Sequence, residues 1–355
     1  MGLTMIIKEY GWDEHFNREL QKIDNDTLLP LLPARVLADY GQMLRVITDK
    51  GELLVNRPIS NIQLAVGDWI ALEQSTNPES YSIYTAFPRK TKFSRAAAGM
   101  EVKEQIVAAN VDTVFILQSL NRDFNMKRLE RYLISTWESG ATPVVVLTKS
   151  DCCDDVAEKM AEAYNTAPGV DIYSISCITQ EGIDDIRKYL IPGKTVALLG
   201  SSGVGKSTLV NTLVGKEILK TQEIREDDNR GRHTTTHREL FLLPGGGLIL
   251  DTPGMRSLSL WEADTGMEMM FGDIEELINL CRFHDCTHQS EPGCAVIKAL
   301  ESGELEQKRW NSWQKLQKEL NHLEAKKEGK QRQIEKQWGK QIAKLQKELY
   351  KGRHR

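Results

Sequence analysis

The stretch GSSGVGKST, residues 200–208, decides the fold. It directly follows the apolar run TVALL and precedes LVNTLVG, so it has the strand–loop–helix context that the phosphate-loop pattern G-x-x-x-x-G-K-[ST] requires. Its glycines let the backbone approach phosphates closely, and the amides at the start of the helix attract anions. The stretch therefore predicts an α/β nucleotide-binding domain.

Two side chains of this loop have specific expected contacts. We expect the Lys206 ammonium to reach the β- and γ-phosphates and the Ser207 hydroxyl to bind Mg²⁺. The loop itself does not distinguish one base from another. Its predicted nucleotide contacts are Gly200, Ser201, Ser202, Gly203, Val204, Gly205, Lys206, Ser207 and Thr208.

The stretch PVVVLTKSD, residues 143–151, predicts the base, because its last four residues follow an apolar strand, where ligands of α/β sheets bind. The Asp151 carboxylate can accept two hydrogen bonds from guanine, whereas adenine would leave it unpaired. Lys149 can lay its stem across the ring. The predicted base contacts are Thr148, Lys149, Ser150 and Asp151, with Ser176 and Cys177 in the later stretch YSISC. GTP or GDP is the expected nucleotide.

The order of these motifs along the chain is unusual. In an ordinary GTPase the base-reading motifs follow the phosphate loop, but here they precede it by about 50 residues. A site that is assembled in space does not depend on chain order, so a circularly permuted sheet can hold the same pocket. The permutation also makes the segment after Asp251 run on into a cysteine cluster.

The stretch GLILDTPGM, residues 247–255, completes the phosphate end of the predicted site. Asp251 ends an apolar strand, where a carboxylate can hold Mg²⁺ through water, and the Gly254 amide can contact the γ-phosphate. Many GTPases orient the attacking water with a Gln at the next position, which is Met255 here. We therefore expect slow hydrolysis by the isolated protein and stimulation by a partner.

The stretch GRHTTTHREL, residues 231–240, lies between the phosphate loop and Asp251. A loop threonine is needed to close over Mg²⁺ and the γ-phosphate, and of the three candidates we select Thr235. A surface threonine run is the alternative interpretation. His233 is the candidate for orienting the attacking water, with His237 second. The predicted Mg²⁺ ligands are Ser207, Thr235 and Asp251.

The stretch CRFHDCTHQSEPGC, residues 281–294, predicts a structural zinc site. Three thiolates and one imidazole, from Cys281, Cys286, His288 and Cys294, form a closed tetrahedral set with no open position for catalysis. His284 is a rival ligand, and three incidental cysteines in a reducing compartment are the alternative interpretation. The remaining cysteines are scattered, which favours free thiols over a disulfide framework.

The spacing of apolar residues divides the chain into regions with different predicted folds. Short alternating runs from about Ala34 to Arg95 predict a small oligonucleotide-binding (OB-type) β-barrel, although an SH3-like barrel fits as well. From Val111, apolar runs that alternate with helical stretches predict a parallel sheet covered on both faces. The predicted domains are a lead-in (1–33), the OB-type barrel (34–100), a circularly permuted P-loop GTPase domain (101–262), an α-helical zinc-binding domain (263–320) and a long basic helical tail (321–355).

Composition and charge limit the classes of protein to which this chain can belong. The chain is 40% hydrophobic and 27% charged, with no apolar run of the roughly 18 residues that a membrane helix needs and no signal-like start. We therefore expect a cytoplasmic protein without membrane association. The net charge of −4 is uneven, because Lys308–Arg355 carries fifteen Lys or Arg against five Glu. This end of the chain suggests a polyanionic partner, and a solvated helix surface is the alternative.

Taken together, these motifs resemble the ribosome small-subunit-dependent GTPase A family, a group of circularly permuted bacterial GTPases. The resemblance covers about residues 34–320 and includes GDWIAL, PRKTKFSR, QIVAANVDTVFIL, DFNMKRLERYL, TKSD, GSSGVGKST, GRHTTTH, DTPGM and the cysteine spacing. Two features depart from the family pattern. Thr148 stands where Asn is usual, and the tail after about residue 320 is longer than expected.

The resemblance implies an OB-type barrel, a permuted GTPase domain and a helical zinc domain. It also implies a role in late small-subunit maturation, with GTP hydrolysis that is stimulated by the subunit and coupled to release. The expected partners are the small ribosomal subunit and its rRNA, contacted by the tail and by the cationic residues Arg89, Lys90, Lys92 and Arg95. Nothing in the sequence requires more than a monomer.

Two other classes of function stay open at this point. One is a P-loop ATPase or kinase, which a preference for ATP would favour. The other is a nucleic-acid-binding adaptor that uses GTP only as a structural ligand, which absence of turnover even with ribosomal subunits would favour.

Overall fold

A computed structural model describes residues 6–24, 30–58, 62–75, 80–96, 104–121, 123–216, 239–251, 263–325 and 329. Contacts divide the chain into two compact units, one made of 1–95 with 106–270 and the other of 96–105 with 271–355. The domain boundaries drawn from the sequence remain a prediction. Among the described helices, none combines the length and the apolar character needed to cross a membrane.

Five antiparallel strands form the N-terminal sheet: β1 (Leu31–Asp39), β2 (Met43–Thr48), β3 (Gly51–Asn56), β4 (Trp69–Gln74) and β5 (Tyr81–Ala86). They are ordered β3–β2–β1–β4–β5, and β3 also lies near β5. Their inward residues, such as Val36, Val46 and Ile70, form a buried cluster. Within the described strands no ladder joins β3 to β5, so closure into an OB-type barrel remains a prediction.

Two helices, α1 (Ile6–Glu9) and α2 (Glu14–Asp24), pack on the N-terminal sheet. Trp12 and Phe16 lie against Trp69 and Phe87, and the Trp12 and Trp69 rings meet edge to face with centroids 4.9 Å apart. Aromatic pairs in this arrangement contribute beyond the area they bury. Two further strands, β6 (Lys92–Ala96) and β7 (Glu104–Ala109), form a separate two-stranded sheet.

Six strands form the central sheet: β8 (Thr113–Ser119), β9 (Thr142–Thr148), β10 (Asp171–Ile175), β11 (Thr195–Leu199), β12 (Glu239–Leu242) and β13 (Leu248–Asp251). Their order is β10–β9–β8–β11–β13–β12, and the first five of these are parallel. The apolar runs that predict strands from Val111 onward therefore each form one, and they are VDTVFILQSL, PVVVLT, DIYSIS, TVALLG, ELFLL and GLILDT. The strand before the phosphate loop, β11, lies at the centre of this order.

The central sheet is connected by α3 (Met126–Glu138), α4 (Val156–Thr166), α5 (Ile183–Arg187) and α6 (Lys206–Val214). Parallel neighbours need such crossovers because a tight turn cannot join them. The Asn125 side chain caps α3 by accepting a hydrogen bond from the Arg128 N–H at 3.1 Å. Residues of α5 and α6, including Ile186 and Leu209, pack against Phe115, Leu198 and other strand residues in a buried core.

Strand β12 differs from the expectation of a parallel sheet, because it runs antiparallel to β13. The two strands are joined by only five residues, 243–247, which is too short for a crossover but suits a hairpin. Inside this turn the Leu243 N–H donates to the Gly247 carbonyl at 2.8 Å, and Gly246 adopts a φ of 92° that favours glycine.

The other edge of β12 pairs with β1, so the N-terminal sheet and the central sheet form one eleven-stranded sheet. The register partners at this junction are Ala38 and Glu239. The Glu239 carboxylate also forms an ion pair with Arg45 of β2. The first described residue after the 231–238 stretch is therefore fixed to the N-terminal sheet.

From residue 271 onward, the regular elements in the described part of the second unit are helices, whereas residues 96, 104 and 105 belong to β6 and β7. Helix α7 (Asp264–Asn279) enters it at a kink at Phe271, followed by α8 (Ala295–Ser302) and helical residues 307–325. Arg309 forms a two-point ion pair with Asp273, with nitrogen–oxygen distances of 2.9 and 2.7 Å. The three- and four-residue steps between apolar positions at this end of the sequence predict a long amphipathic helix or hairpin. Leu316, Leu320 and Leu323 lie in the last described helix. The later positions Ile334, Trp338, Ile342, Leu345 and Leu349 lie outside the described residues.

Candidate functional site

The phosphate loop runs from the end of β11 to the start of α6. Gly203 and Gly205 have φ angles of 74° and 105°, which favour glycine. A side chain at Gly200 would place its Cβ 2.9 Å from the Leu117 carbonyl oxygen, so this position also needs glycine. The Lys206 ammonium donates to the Gly200 carbonyl at 2.7 Å and to the Ser201 carbonyl. The backbone of the loop thus surrounds the Lys206 ammonium.

The base motif lies directly against this loop. The Thr148 hydroxyl donates to the Val204 carbonyl at 2.6 Å, and the Lys149 ammonium donates to the Gly203 carbonyl at 2.9 Å. Lys149 itself adopts a left-handed φ of 62° at the end of β9, which turns the chain toward the loop. The two motifs that the permutation separates in sequence are therefore joined in space by two hydrogen bonds.

The remaining predicted base contacts lie beside them. The pKa of the exposed Asp151 carboxyl lies below its ordinary value because of two hydrogen bonds. The larger effect comes from the hydroxyl of the buried Ser176, and the next comes from the Cys152 thiol. The Ser176 oxygen in turn accepts from the Ile178 and Thr179 amides at 3.2 and 3.1 Å. Asp151 is consequently an ionised, accessible hydrogen-bond acceptor at neutral pH.

The other predicted positions lie in or near this site. Cys177 is half-buried, and the Ser150 hydroxyl is buried with no hydrogen-bond partner in the described part of the chain. Ser207 and Thr208 are in the first turn of α6, and Ser202 is exposed in the loop. Asp251 is the half-buried last residue of β13, the strand beside β11. Gly254, His233 and Thr235 lie outside the described residues.

One cluster next to the phosphate loop was missed by the sequence reasoning. The Ser201 hydroxyl donates to Asp123, and Arg128 pairs with the same carboxylate at 3.0 Å. Asp123 follows β8, whose carboxyl end adjoins that of β11. Ligand-facing residues gather at such ends of parallel strands, so the charged residues of RDFNMKR were the available signal.

The four predicted zinc ligands form one cluster in the second unit. Their ligand atoms all lie within 4.8 Å of one another, with Sγ of Cys281 3.8 Å from Sγ of Cys294. Nδ1 of His288 lies 3.5 and 3.4 Å from these two sulfurs. A tetrahedral zinc with ordinary bond lengths separates two sulfurs by about 3.8 Å and sulfur from nitrogen by about 3.5 Å. The donor set therefore fits this ion, and the rival His284 is not part of the cluster.

The loop around this cluster is held by Glu291. Its carboxylate accepts hydrogen bonds from the Thr287, Gln289 and Ser290 amides at 2.8, 2.9 and 3.0 Å, and from the Thr287 hydroxyl. His288, in the middle of this turn, has a left-handed φ of 57°. Trp310 packs edge to face on the His288 ring, with centroids 5.6 Å apart. These contacts fix the position of the imidazole.

The surroundings of Cys281 favour the thiolate that a metal needs. Burial alone would raise the pKa of Cys281, but hydrogen bonds from the Ala295 and Val296 amides bring it below its ordinary value. The Cys294 sulfur caps α8 by accepting a hydrogen bond from the Ile297 amide at 3.4 Å.

The cationic residues expected to contact rRNA are partly engaged within the first unit. Arg89 pairs with the fully buried Asp68 at 2.6 Å, and Lys90 pairs with Asp13. A cation whose charge is already matched gains less from a phosphate. Arg89 and Lys90 are thus better explained by their intramolecular ion pairs.

Comparison with protein families gives two matches. A family described as RsgA GTPase matches residues 86–261. A family described as ABC transporter matches residues 183–348, a range that contains the same phosphate loop.

Comparison with known proteins gives relatives over most of the chain. Small ribosomal subunit biogenesis GTPase RsgA 2 of Vibrio parahaemolyticus is 44% identical over 88% of this chain and 85% of its own. The corresponding RsgA 1 of Listeria innocua is 44% identical over 89% of this chain and 90% of its own.

Among solved structures, YjeQ from Thermotoga maritima superposes with a TM-score of 0.60 and 26% identity, over 81% of this chain and 97% of its own. YloQ, described as a circularly permuted GTPase, superposes with a TM-score of 0.59 over 82% of this chain and 96% of its own. Its 24% identity supports the fold alone.

Proposed function

Because the chain belongs to the RsgA GTPase family, whose members are GTP hydrolases, we propose that it is a small ribosomal subunit biogenesis factor that hydrolyses GTP on that subunit. Hydrolysis is stimulated by the subunit and coupled to release late in its maturation. The observation that carries the proposal is the pair of hydrogen bonds from Thr148 and Lys149 to the phosphate loop, because they join base and phosphate recognition in one pocket.

In this proposal each part of the pocket has one task. The loop from Gly200 to Thr208 surrounds the phosphates, and Lys206 exchanges its loop carbonyls for β- and γ-phosphate oxygens. Asp151 reads the two guanine donors, Lys149 covers the ring, and the Ser176–Cys177 segment faces the base oxygen. The ionised, exposed state of Asp151 supports this assignment, since the carboxylate must accept both bonds.

Ser207 and Asp251, with Thr235 from the 231–240 stretch, are the proposed Mg²⁺ residues. Mg²⁺, when bound, offsets the negative charge of the phosphates. Water positioning is the weak element of the site, because Met255 cannot orient water as a Gln does. We assign that task to His233, which the ribosomal subunit brings into place.

The Cys281, Cys286, His288 and Cys294 cluster is the proposed site of one structural Zn²⁺, which would stabilise the second unit. The N-terminal sheet is proposed to be an OB-type barrel that contacts rRNA together with the basic tail. The order β3–β2–β1–β4–β5 and the nearness of β3 to β5 support the barrel. We propose a cytoplasmic monomer without membrane association.

The test is hydrolysis of GTP and ATP by the purified protein, with and without small ribosomal subunits. We expect slow GTP turnover that rises many-fold only with the subunit, and little use of ATP. Equal use of ATP would reject guanine recognition by Asp151. GTP turnover without subunit stimulation would reject the ribosomal role, and absence of turnover with subunits would leave a GTP-binding adaptor instead.

A further inference from the structure

A row of register-paired residues crosses the sheet from the N-terminal sheet to the proposed Mg²⁺ residue. Leu54 pairs with Arg45, Arg45 with Ala38, Ala38 with Glu239, and Glu239 with Asp251. Residues paired in this way on adjacent strands share one face of the sheet. The row therefore connects Leu54, whose side chain is 60% exposed, to the phosphate end of the site.

One side-chain contact in this row spans β1. Ala38 is small and fully buried, so the Arg45 guanidinium reaches across it to the Glu239 carboxylate, and it also lies 3.7 Å from Glu52. Both partners of the Arg45–Glu239 pair are only about a quarter exposed, with values of 26% and 29%. Solvent therefore screens this pair less than a fully exposed one.

The junction that this pair reinforces is narrow. The described ladder between β1 and β12 has a single register pair, Ala38 with Glu239. The β1–β2 register shifts between Val36 and Ala38, so Leu37 is the extra residue of a β-bulge. Bulges redirect a strand and often lie near functional sites. Here the bulge brings Ala38 into line with both Arg45 and Glu239.

Charge explains why the pair matters for the site. Glu239 and Asp251 are carboxylates at facing positions of an antiparallel pair, and like charges so placed repel. Arg45 offsets the charge of Glu239. A shift of β2 that moves Arg45 therefore changes the electrostatic environment of Asp251. Through the ion pair it also moves Glu239, the residue that directly follows the 231–238 stretch.

We propose that Arg45 is a positioning residue for subunit-stimulated GTP hydrolysis. When the ribosomal subunit binds to the N-terminal sheet, Arg45 acts through Glu239 on Asp251. This inference rests on the proposed ribosomal function. It assigns Arg45 no contact with nucleotide or RNA.

The test compares Arg45→Ala, Glu239→Ala and the double variant with the unsubstituted protein. GTP turnover is measured without subunits and at saturating subunits, and subunit affinity is measured with a non-hydrolysable GTP analogue. We expect each single variant to lose about fivefold or more of the stimulated rate, the lower end of usual coupling between sites. Subunit affinity should stay unchanged, and the stimulated rate should fall by a larger factor than the unstimulated rate, because stimulation is the step that needs the Arg45–Glu239 pair. The double variant should be no worse than the worse single variant, because the two residues act as one unit.

Arg57→Ala is the matched control. Arg57 pairs with Asp39 at 2.7 Å, and these side chains are 27% and 24% exposed, so this ion pair has similar exposure but includes no residue of β12. If Arg45→Ala is stimulated as fully as Arg57→Ala, the inference is wrong. It is also wrong if the single effects multiply in the double variant, or if subunit affinity falls together with stimulation. Absence of stimulation in the unsubstituted protein would overturn the proposed function as well, which separates the two failures.

Discussion

At the scale of the residue, Thr148 illustrates how a departure from a family pattern is accommodated. An Asn at this position offers an amide donor, and the Thr148 hydroxyl donates instead to the Val204 carbonyl at 2.6 Å. Both residues are buried, with exposures of 3% and 1%, so water cannot replace a missing hydrogen bond. The substitution therefore preserves the link between base motif and phosphate loop.

We expect Thr148→Val, which keeps the shape and removes the hydroxyl, to weaken guanine nucleotide binding. An unsatisfied buried carbonyl costs about 1–3 kcal/mol, which corresponds to about fivefold to 150-fold in affinity. Titration with a fluorescent GDP analogue measures the change. Thr148→Ser retains the donor and should bind nearly as the unsubstituted protein does. Equal affinity for the Val and Ser variants would contradict the proposed link.

Sequence reasoning at this scale predicts residues whose chemistry is carried by a local motif, and these predictions concern residues that the structure brings together. The phosphate loop, TKSD and the four cluster ligands are of this kind, because each pattern fits within a few residues of chain. It missed the Ser201–Asp123 contact, whose partners are 78 residues apart. Nor could it foresee that Thr148 would find its acceptor 56 residues away. Such partners are chosen by the packing of strands, which no local pattern records.

At the scale of the element, the Cys/His loop is held in shape by Glu291 rather than by its ligands alone. Four donors converge on this one carboxylate, three from backbone amides of the loop. The loop thereby presents His288 toward the sulfurs. A loop that is ordered in advance loses less entropy when it binds an ion.

Glu291→Ala should therefore lower zinc affinity. Outer contacts of metal ligands typically contribute about 10-fold to 100-fold. Competition with a zinc-binding dye measures the change in the full-length protein. Glu301→Ala, at an exposed position in α8, is the control and should bind zinc normally. If the two variants hold zinc equally well, Glu291 does not organise the site.

The elements themselves were largely predictable. The apolar runs that follow Val111 form β8–β13, and the helical stretches predicted between them include α3 and α4, because burial on a sheet needs those patterns. The direction of β12 was not foreseen, although the turn residues PGGG carried a hairpin signal. Its second edge was also unforeseen, since pairing with β1 depends on a bulge that lies outside the β12 sequence.

At the scale of the whole molecule, charge is distributed very unevenly along the chain. Beyond Ala325 there are eleven Lys or Arg against three Glu, whereas the chain as a whole has a net charge of −4. If these cations meet rRNA phosphates, they release counterions, and binding then depends steeply on salt. Since Arg89 and Lys90 are paired internally, the tail becomes the principal candidate for this contact.

Ending the chain at Ala325 should flatten the salt dependence of subunit binding. The slope of log affinity against log salt concentration should fall by about 0.7–0.9 for each rRNA phosphate that the tail neutralises in the full chain. Sedimentation with small subunits over a range of salt concentrations measures both slopes. GTP turnover without subunits should be unchanged, which shows that the remaining chain is intact. A slope equal to that of the full chain would mean that the tail does not contact rRNA.

The junction of β1 with β12 also has a consequence in time. Arg45 and Glu239 are 194 residues apart, so a ribosome adding about 5–20 residues per second makes the second roughly 10–40 s after the first. Throughout that interval the edge of β1 that will pair with β12 has no partner there, because β12 has not yet been synthesised. Such an edge is a template for wrong pairing. The N-terminal sheet is thus completed only when almost the whole proposed nucleotide pocket has been synthesised.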